Sequence, residues 1–420
     1  MSATMSAPEK VQPADSAGGL GAATRDYIAR IRGGDLGALP AVLALITLVV
    51  IFTALKGDIF FSTFNFANLI TQSATYIVLA MGLVFVLLLG EIDLSAGYAA
   101  GTAGAVLGVT LTLHGWPVWA SLTATLLTGV IIGLFIGLLV ARLGIPSFVV
   151  TLAMFLALQG AMLIIIGEGG TIGVQDPFIL AIMNGNMSPL AGWILFAIVV
   201  LGYVFSTYRA MSRRRAAGLE VQSMTVWMVK VVSLVVLWGG ATYLLNQERS
   251  RNPQLTSIKG IPWVVIVILV LLVGLSFLLQ RTGFGRHVYA VGGNAEAARR
   301  AGISVANVKV VCFVFCSTLA AVAGILFASK DNSISPSTGG STTLLYAVGA
   351  AVIGGTSLFG GRGKVRDAIL GGLVVAVIGN GLPLITDKSG IQFIVTGLVL
   401  LVAASVDALS RRRSLASGRA

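Results

Sequence analysis

Charge is scarce in this chain. Asp, Glu, Lys and Arg make up 10% of its 420 residues, against 56% hydrophobic residues and a mean hydropathy of +0.94. A soluble protein of this length could not cover so apolar a surface, so soluble folds are excluded and a polytopic membrane protein is expected. Alternation is missing too. The apolar runs are continuous, which excludes a β-barrel and makes the expected fold all-α. Cysteine and histidine occur twice each. Cys312 and Cys316 stand four apart on one apolar run, a poor spacing for a disulfide, and read as small packing residues. His114 and His287 fall in different loops, so the sequence offers no metal cluster, and no metal or cofactor is expected.

Catalytic signatures are equally absent. A phosphate-cradling loop needs Gly-Lys followed by Ser or Thr, but Gly363-Lys364 continues with Val365 and lacks the earlier glycine. The chain is therefore not expected to hydrolyse ATP. With no H-E-x-x-H and no histidine in an apolar run, an intramembrane enzyme is unsupported. An ion-coupled secondary transporter wants acids deep in several spans, and only Glu91 and Asp93 come close. That class stands as the alternative function.

What the chain has is glycine, 52 residues of it, which suits close helix contacts in lipid. A span needs roughly 20 apolar residues. Candidates are 38–55, 66–89, 94–113, 117–140, 146–166, 189–208, 222–245, 261–280, 309–329, 343–358, 367–385 and 391–409, giving about 10–12 transmembrane helices. Segment 343–358 is short and glycine-rich, and reads equally as a re-entrant or broken helix. The net charge of +12 lies in short loops and termini rather than on a phosphate-binding face, so nucleic acid is not an expected partner. With residue 1 inside, inner loops and tails hold 21 of the 28 Lys and Arg, outer loops hold six, and Lys230 snorkels from a span. The positive-inside rule then puts both termini in the cytoplasm. Residues 1–36 read as a disordered cytoplasmic tail with Arg25, Arg30 and Arg32 ahead of an uncleaved first span, residues 37–410 as the membrane domain, and 411–420 as a basic cytoplasmic tail.

One polar interruption, residues 281–308 and ending at Lys309, is too long for a simple helix turn. Within it, Glu296-Ala297-Ala298 precedes Gly302 by four residues. Ala and Glu favour a short helix, and Gly302 offers a left-handed stop. This E-A-A-x-x-x-G spacing resembles the cytoplasmic coupling loop of ABC-importer permeases. Gly90-Glu91-Ile92-Asp93-Leu94-Ser95-Ala96-Gly97 resembles the G-x-I-D-L-S-x-G signature of ribose/xylose-type sugar permeases. Tyr289 to Asn294, including Gly292 and Gly293, opens the loop in that family's manner, and Gly354-Gly355-Thr356-Ser357 to Gly363 resembles its G-G-T-S-L-x-G-G-x-G segment. Glu91 and the long segment 189–260, which resembles an inserted pair of spans, suit the xylose branch.

The resemblance implies a type II importer permease fold and an inner-membrane, multi-pass subunit that passes a monosaccharide, xylose or a similar sugar. It also implies a second permease copy as homodimer partner, separate ATP-binding cassette subunits on the coupling loops, and a periplasmic sugar-binding protein. Glu91, Asp93 and Ser95 are expected either on the translocation path or gate, or in a tight cytoplasmic turn with Asp93 capping the next helix. Gly354 to Ser357 read as a pore-side gate or as close helix packing. Trp116, Trp119, Trp193 and Trp263 read as interface anchors. Gln72, Ser73, Thr75 and Gln159 could meet sugar hydroxyls or bond across helices.

Overall fold

The computed structural model describes residue 25 and residues 37–416, except 220, 251, 252 and 254–256. The expected tail over 1–36, apart from Arg25, and residues 417–420 lie outside the described residues. In chain order the helices are α1 (Leu39–Phe60), α2 (Thr63–Leu88), α3 (Ala96–Gly108), α4 (Val118–Ala141), α5 (Ser147–Ile166), α6 (Pro177–Asn184), α7 (Pro189–Ala216) and α8 (Met224–Leu245). They continue with α9 (Val264–Arg281), α10 (Gly283–Gly293), α11 (Ala295–Arg300), α12 (Val305–Asp331), α13 (Ser341–Gly354), α14 (Asp367–Ile385) and α15 (Ser389–Ala416). A π-helical turn, Val109–Leu113, extends α3. Among the described residues ten helices are long and apolar enough to cross a membrane, and α13 and α15 add two shorter apolar stretches.

Hydropathy placed most of these helices within a few residues. The last one overshoots: α15 runs through Ala416, past the expected boundary at 410. So does α7, which carries Arg213, Arg214 and Arg215 in its last turn, where cations offset the exposed carbonyls.

The core forms where glycine lets backbones meet. On α4, Gly129, Gly133 and Gly137 lie against α12, and a Cβ at Gly133 would stand 2.5 Å from the Phe313 carbonyl. Gly82 of α2 packs on Cys316 and Leu319 of the same helix. Cys312 and Cys316 are buried and free, as their spacing implied. The pair α7–α8 is the opposite case: it packs on itself and the rim of α2, and most of its surface is exposed. The four tryptophans named above are 42–73% exposed near helix ends, as expected of interface anchors.

Two stretches inside the bundle are not helical. Residues 91–95 leave the end of α2 without helical structure and bring Asp93 beside the Cys316 thiol. Cys316 is eleven residues into α12, about 16 Å along it at the α-helical rise. Asp93 is thus buried within the bundle, while its carboxylate still holds the start of α3. Residues 335–340 enter the bundle from the other end. After the short antiparallel pairing of Ile172–Gly173 with Ser333–Ile334, the chain descends along α3, with Ile334 at Gly104, Thr338 at Gly101 and Gly339 at Gly97. The starts of α3 and α13 thus lie side by side, each after a non-helical run. Segment 343–358 is a single short helix, α13, followed by the start of a glycine turn.

Candidate functional site

At the end of α2, Gly90 takes φ +74 and stops the helix. Glu91 then forms an ion pair with Lys309, tying this stop to the first turns of α12. Farther in, the Asp93 carboxylate accepts the Ser95 amide at 2.9 Å and the Ser95 hydroxyl at 2.6 Å, fixing the start of α3. Asp93 and Ser95 are both fully buried. The Ile92 amide donates to the Ser147 hydroxyl at 3.3 Å, and the Thr151 hydroxyl donates to the Ile92 carbonyl at 3.3 Å, so α5 braces the same strand.

The second element follows α13. Gly355 leaves the helix at φ +119, and Gly360, Gly361 and Gly363 also have positive φ, so the turn 355–363 takes a path that side chains would strain. Thr356 is fully buried and Ser357 nearly so. The Ser357 amide donates to the Arg362 carbonyl at 2.9 Å, and the Asp367 carboxylate accepts the Lys364 amide at 2.7 Å, closing the loop on α14. Gly354 sits against the Asp367 carbonyl, where a Cβ would overlap it.

The third element is the polar interruption. Thr282 caps α10 by accepting the Gly285 amide, and Asn294 caps α11 by accepting the Ala297 amide at 2.9 Å. Gly302 ends α11 at φ +82, the left-handed stop expected of it, with the Ile303 amide donating to the Ala298 carbonyl at 3.0 Å. Ala298 is buried and anchors α11, while Gly293, Asn294, Glu296, Ala297 and Gly302 face outward. Glu296 pairs with Arg299 at 3.0 Å and Arg300 at 3.2 Å, all three exposed, so α11 offers a knob whose one carboxylate is shared by two guanidiniums and which stays positive overall.

These elements, distant in sequence, meet at one point. The Gly361 amide donates to the Leu88 carbonyl at 2.8 Å. Gly292 lies on that same carbonyl so closely that any Cβ would collide with it. Gly360 packs on Gly292, Gly90 and Leu88, and the Tyr289 hydroxyl donates to the Gly363 carbonyl at 2.7 Å. The three segments singled out by pattern are thus one structural unit. Asp93 and Ser95 stand apart from the exposed knob, deeper in the bundle. Sequence reasoning missed Lys309 as the partner of Glu91 and Tyr289 as a strut, because neither pairing is local.

Comparison with known proteins gives the same direction. The family described as the branched-chain amino acid transport system / permease component matches residues 65–202 and 181–404. The xylose transport system permease protein XylH of Escherichia coli (strain K12) is 35% identical over 373 residues, covering 89% of this chain and 92% of that protein. XylH of Haemophilus influenzae is 34% identical over 385 residues, 91% of this chain and 99% of that one. The ribose import permease protein RbsC of Haemophilus influenzae is 29% identical over 366 residues, 87% and 91% respectively. No solved structure matches the chain.

Proposed function

This chain belongs to the branched-chain amino acid transport system / permease component family, and from that premise we propose that it is the membrane-spanning subunit of an ATP-driven importer of a monosaccharide, xylose or a similar sugar. ATP-binding cassette subunits seat on α10 and α11, a sugar-binding protein delivers substrate at the opposite face, and two copies of the chain enclose the path. In this reading the knob and both termini face the cytoplasm, which the concentration of Lys and Arg at that end of the bundle supports.

One observation carries the reading: the exposed α11 knob joins the ends of α2 and α13 through backbone contact at Leu88, Gly292 and Gly361. A push on α11 moves α10, and Gly292 passes the displacement to the Leu88 carbonyl and the turn 355–363. The Glu91–Lys309 pair holds the same stop to α12, so the core helices move with it. Bistable elements of this kind turn a small displacement into a change of access.

The test is co-purification with the neighbouring ATPase and binding-protein-dependent sugar uptake. Gly302→Val strains the left-handed stop, and Glu296→Arg puts three cations together on α11. Both variants are expected at normal membrane levels but with lost uptake and weak ATPase capture. Wild-type uptake in both would overturn the coupling reading. Uptake that survives without the ATPase and collapses with an ionophore would instead establish an ion-coupled carrier. Reporter enzymes fused after Arg286 and after Arg249 are expected to read cytoplasmic and periplasmic respectively.

A further inference from the structure

The first interruption, residues 91–95, is closed over: Asp93 and Ser95 are fully buried and hydrogen-bonded. The second is not. Ser335 and Thr338 satisfy one another, the Ser335 amide donating to the Thr338 hydroxyl at 3.1 Å and the Thr338 amide to the Ser335 carbonyl at 2.9 Å. Beyond them Ser337, Ser341 and Thr342 are exposed on the chain, at the level where Gly339 and Gly340 lie against Gly97 of α3. Ser337 shares its hydroxyl with Ser335 at 2.8 Å, and irregular backbone inside a membrane bundle is tolerated only in protein or along water, never against lipid.

A second surface adjoins this one. Thr342 and Tyr346 are four apart on α13 and share a face. Tyr346 meets Tyr76 of α2 edge to face, with ring centroids 5.4 Å apart and an interplanar angle of 82°. Gln72 stands one turn along α2 from Tyr76 and accepts the Asn380 amide of α14 at 3.3 Å. Ser73 and Thr75, by contrast, are buried, Ser73 on its own helix's Ile70 carbonyl. Neither tyrosine hydroxyl has a hydrogen-bond partner among the described residues.

We propose that Ser337, Ser341 and Thr342, with the Tyr76–Tyr346 pair and Gln72 beside them, form the stretch of the pathway that touches the sugar. The proposal rests on the importer reading and adds the residues through which substrate passes. The chemistry suits a neutral polyol. Hydroxyl and amide groups exchange hydrogen bonds with sugar hydroxyls in place of water, and the tyrosine rings offer apolar faces to the sugar's C–H side. None of the six named side chains carries a charge, so nothing in this stretch pairs with a phosphorylated or acidic sugar.

The test uses the assembled transporter in membranes and the impermeant thiol reagent 2-sulfonatoethyl methanethiosulfonate. Thr342→Cys is expected to react, to be protected by xylose with the binding protein, and to lose uptake about tenfold on modification. Leu156→Cys, on an exposed apolar face of α5, and the wild-type chain, whose two cysteines are buried, are the unreactive references. Tyr346→Ala is expected to lower uptake about tenfold while binding-protein-stimulated ATP hydrolysis persists, and Tyr346→Phe, which keeps the ring face and loses the hydroxyl, to lower it about threefold. An inert Thr342→Cys, a modified one that still transports, or one that forms a disulfide between two copies without loss of uptake would overturn the proposal. Failure of the importer reading is distinguishable: the wild-type assembly would then take up no sugar, while thiol reactivity would still report whether Thr342 meets water.

Discussion

The helices α2 and α7 are almost equally apolar, with mean hydropathies of 1.9 and 2.1 over their most apolar windows, yet 72% of that window is buried in α2 and 6% in α7. Hydropathy says that each crosses the bilayer and nothing about what it does there. Small residues make the difference. The contacts of Gly82 on α12, and of Gly97, Gly101 and Gly104 on the 334–340 segment, bring backbones together. Gly202 in the middle of α7 has nothing within 4 Å. In lipid, where burying apolar surface gives little, close approach is what holds helices together. The pair α7–α8 is therefore an exposed appendage at the edge of the bundle, tied at one end where Arg249 donates to the Asn186 side chain at 3.1 Å and the Gly260 carbonyl at 3.0 Å.

The sharpest way to break that comparison is to add the same bulk to both regions. Gly133→Leu forces a side chain into the Phe313 backbone and is expected to destabilise the protein by about 3 kcal/mol, whereas Gly202→Leu is expected to change stability by less than about 0.5 kcal/mol. Thermal unfolding in detergent measures both, and equal shifts would erase the distinction. Next in size is Asp93. Alanine removes the bonds that fix the start of α3, worth about 1 kcal/mol for a helix cap, and should lower both Tm and uptake; asparagine keeps an acceptor and should lower them less. Uptake by Asp93→Ala equal to wild type would detach this carboxylate from function.

Smaller again is the Glu91–Lys309 pair. Glu91 alone reads as dispensable, because ribose-type motifs carry glycine there, but its partner across the bundle changes that expectation. A double-mutant cycle of Glu91→Gln and Lys309→Met, read by Tm, should give a coupling of about 0.5 kcal/mol. No coupling would mean that the pair is incidental. The smallest effect belongs to the appendage. Glu248 accepts the Ser257 hydroxyl and the Ile258 and Ser250 amides, which hold its carboxyl down to about 2 from the ordinary 4.5. Because the folded value is the lower one, the loop order it supplies is complete above about pH 4.5 and lost as pH falls toward 2. Hydrogen exchange at Ile258, corrected for intrinsic rates, should rise in that window while α12 stays protected.

Spans were legible because their cause is local: twenty apolar residues in a row have one physical outcome. The stop at Gly302 and the short α11 were legible for the same reason. The interruptions were not. Residues 91–95 carry the ordinary signs of a surface turn, glycine, acids and serine, and only the proximity of Asp93 to Cys316 reveals that they climb inside. The glycine turn 355–363 announces itself by composition, but its landing on Leu88 and Gly292 depends on chain 273 and 69 residues away from Gly361. The Tyr76–Tyr346 contact left no trace in pattern, since each tyrosine looks like any other aromatic in a membrane helix.

The joint at Gly292 bears on how faithfully motion is delivered. Side chains that mediate a contact bend at their rotatable bonds and give way by fractions of an ångström before they push. Where Gly292 rests on the Leu88 carbonyl no such bonds intervene, so the contact has no slack to take up. In the coupling proposed above, a stroke of less than an ångström at α10 would arrive at the end of α2 nearly whole. Any residue larger than glycine at this point would have to pry the two helices apart to fit, resetting the stroke's zero position even where the protein still folds.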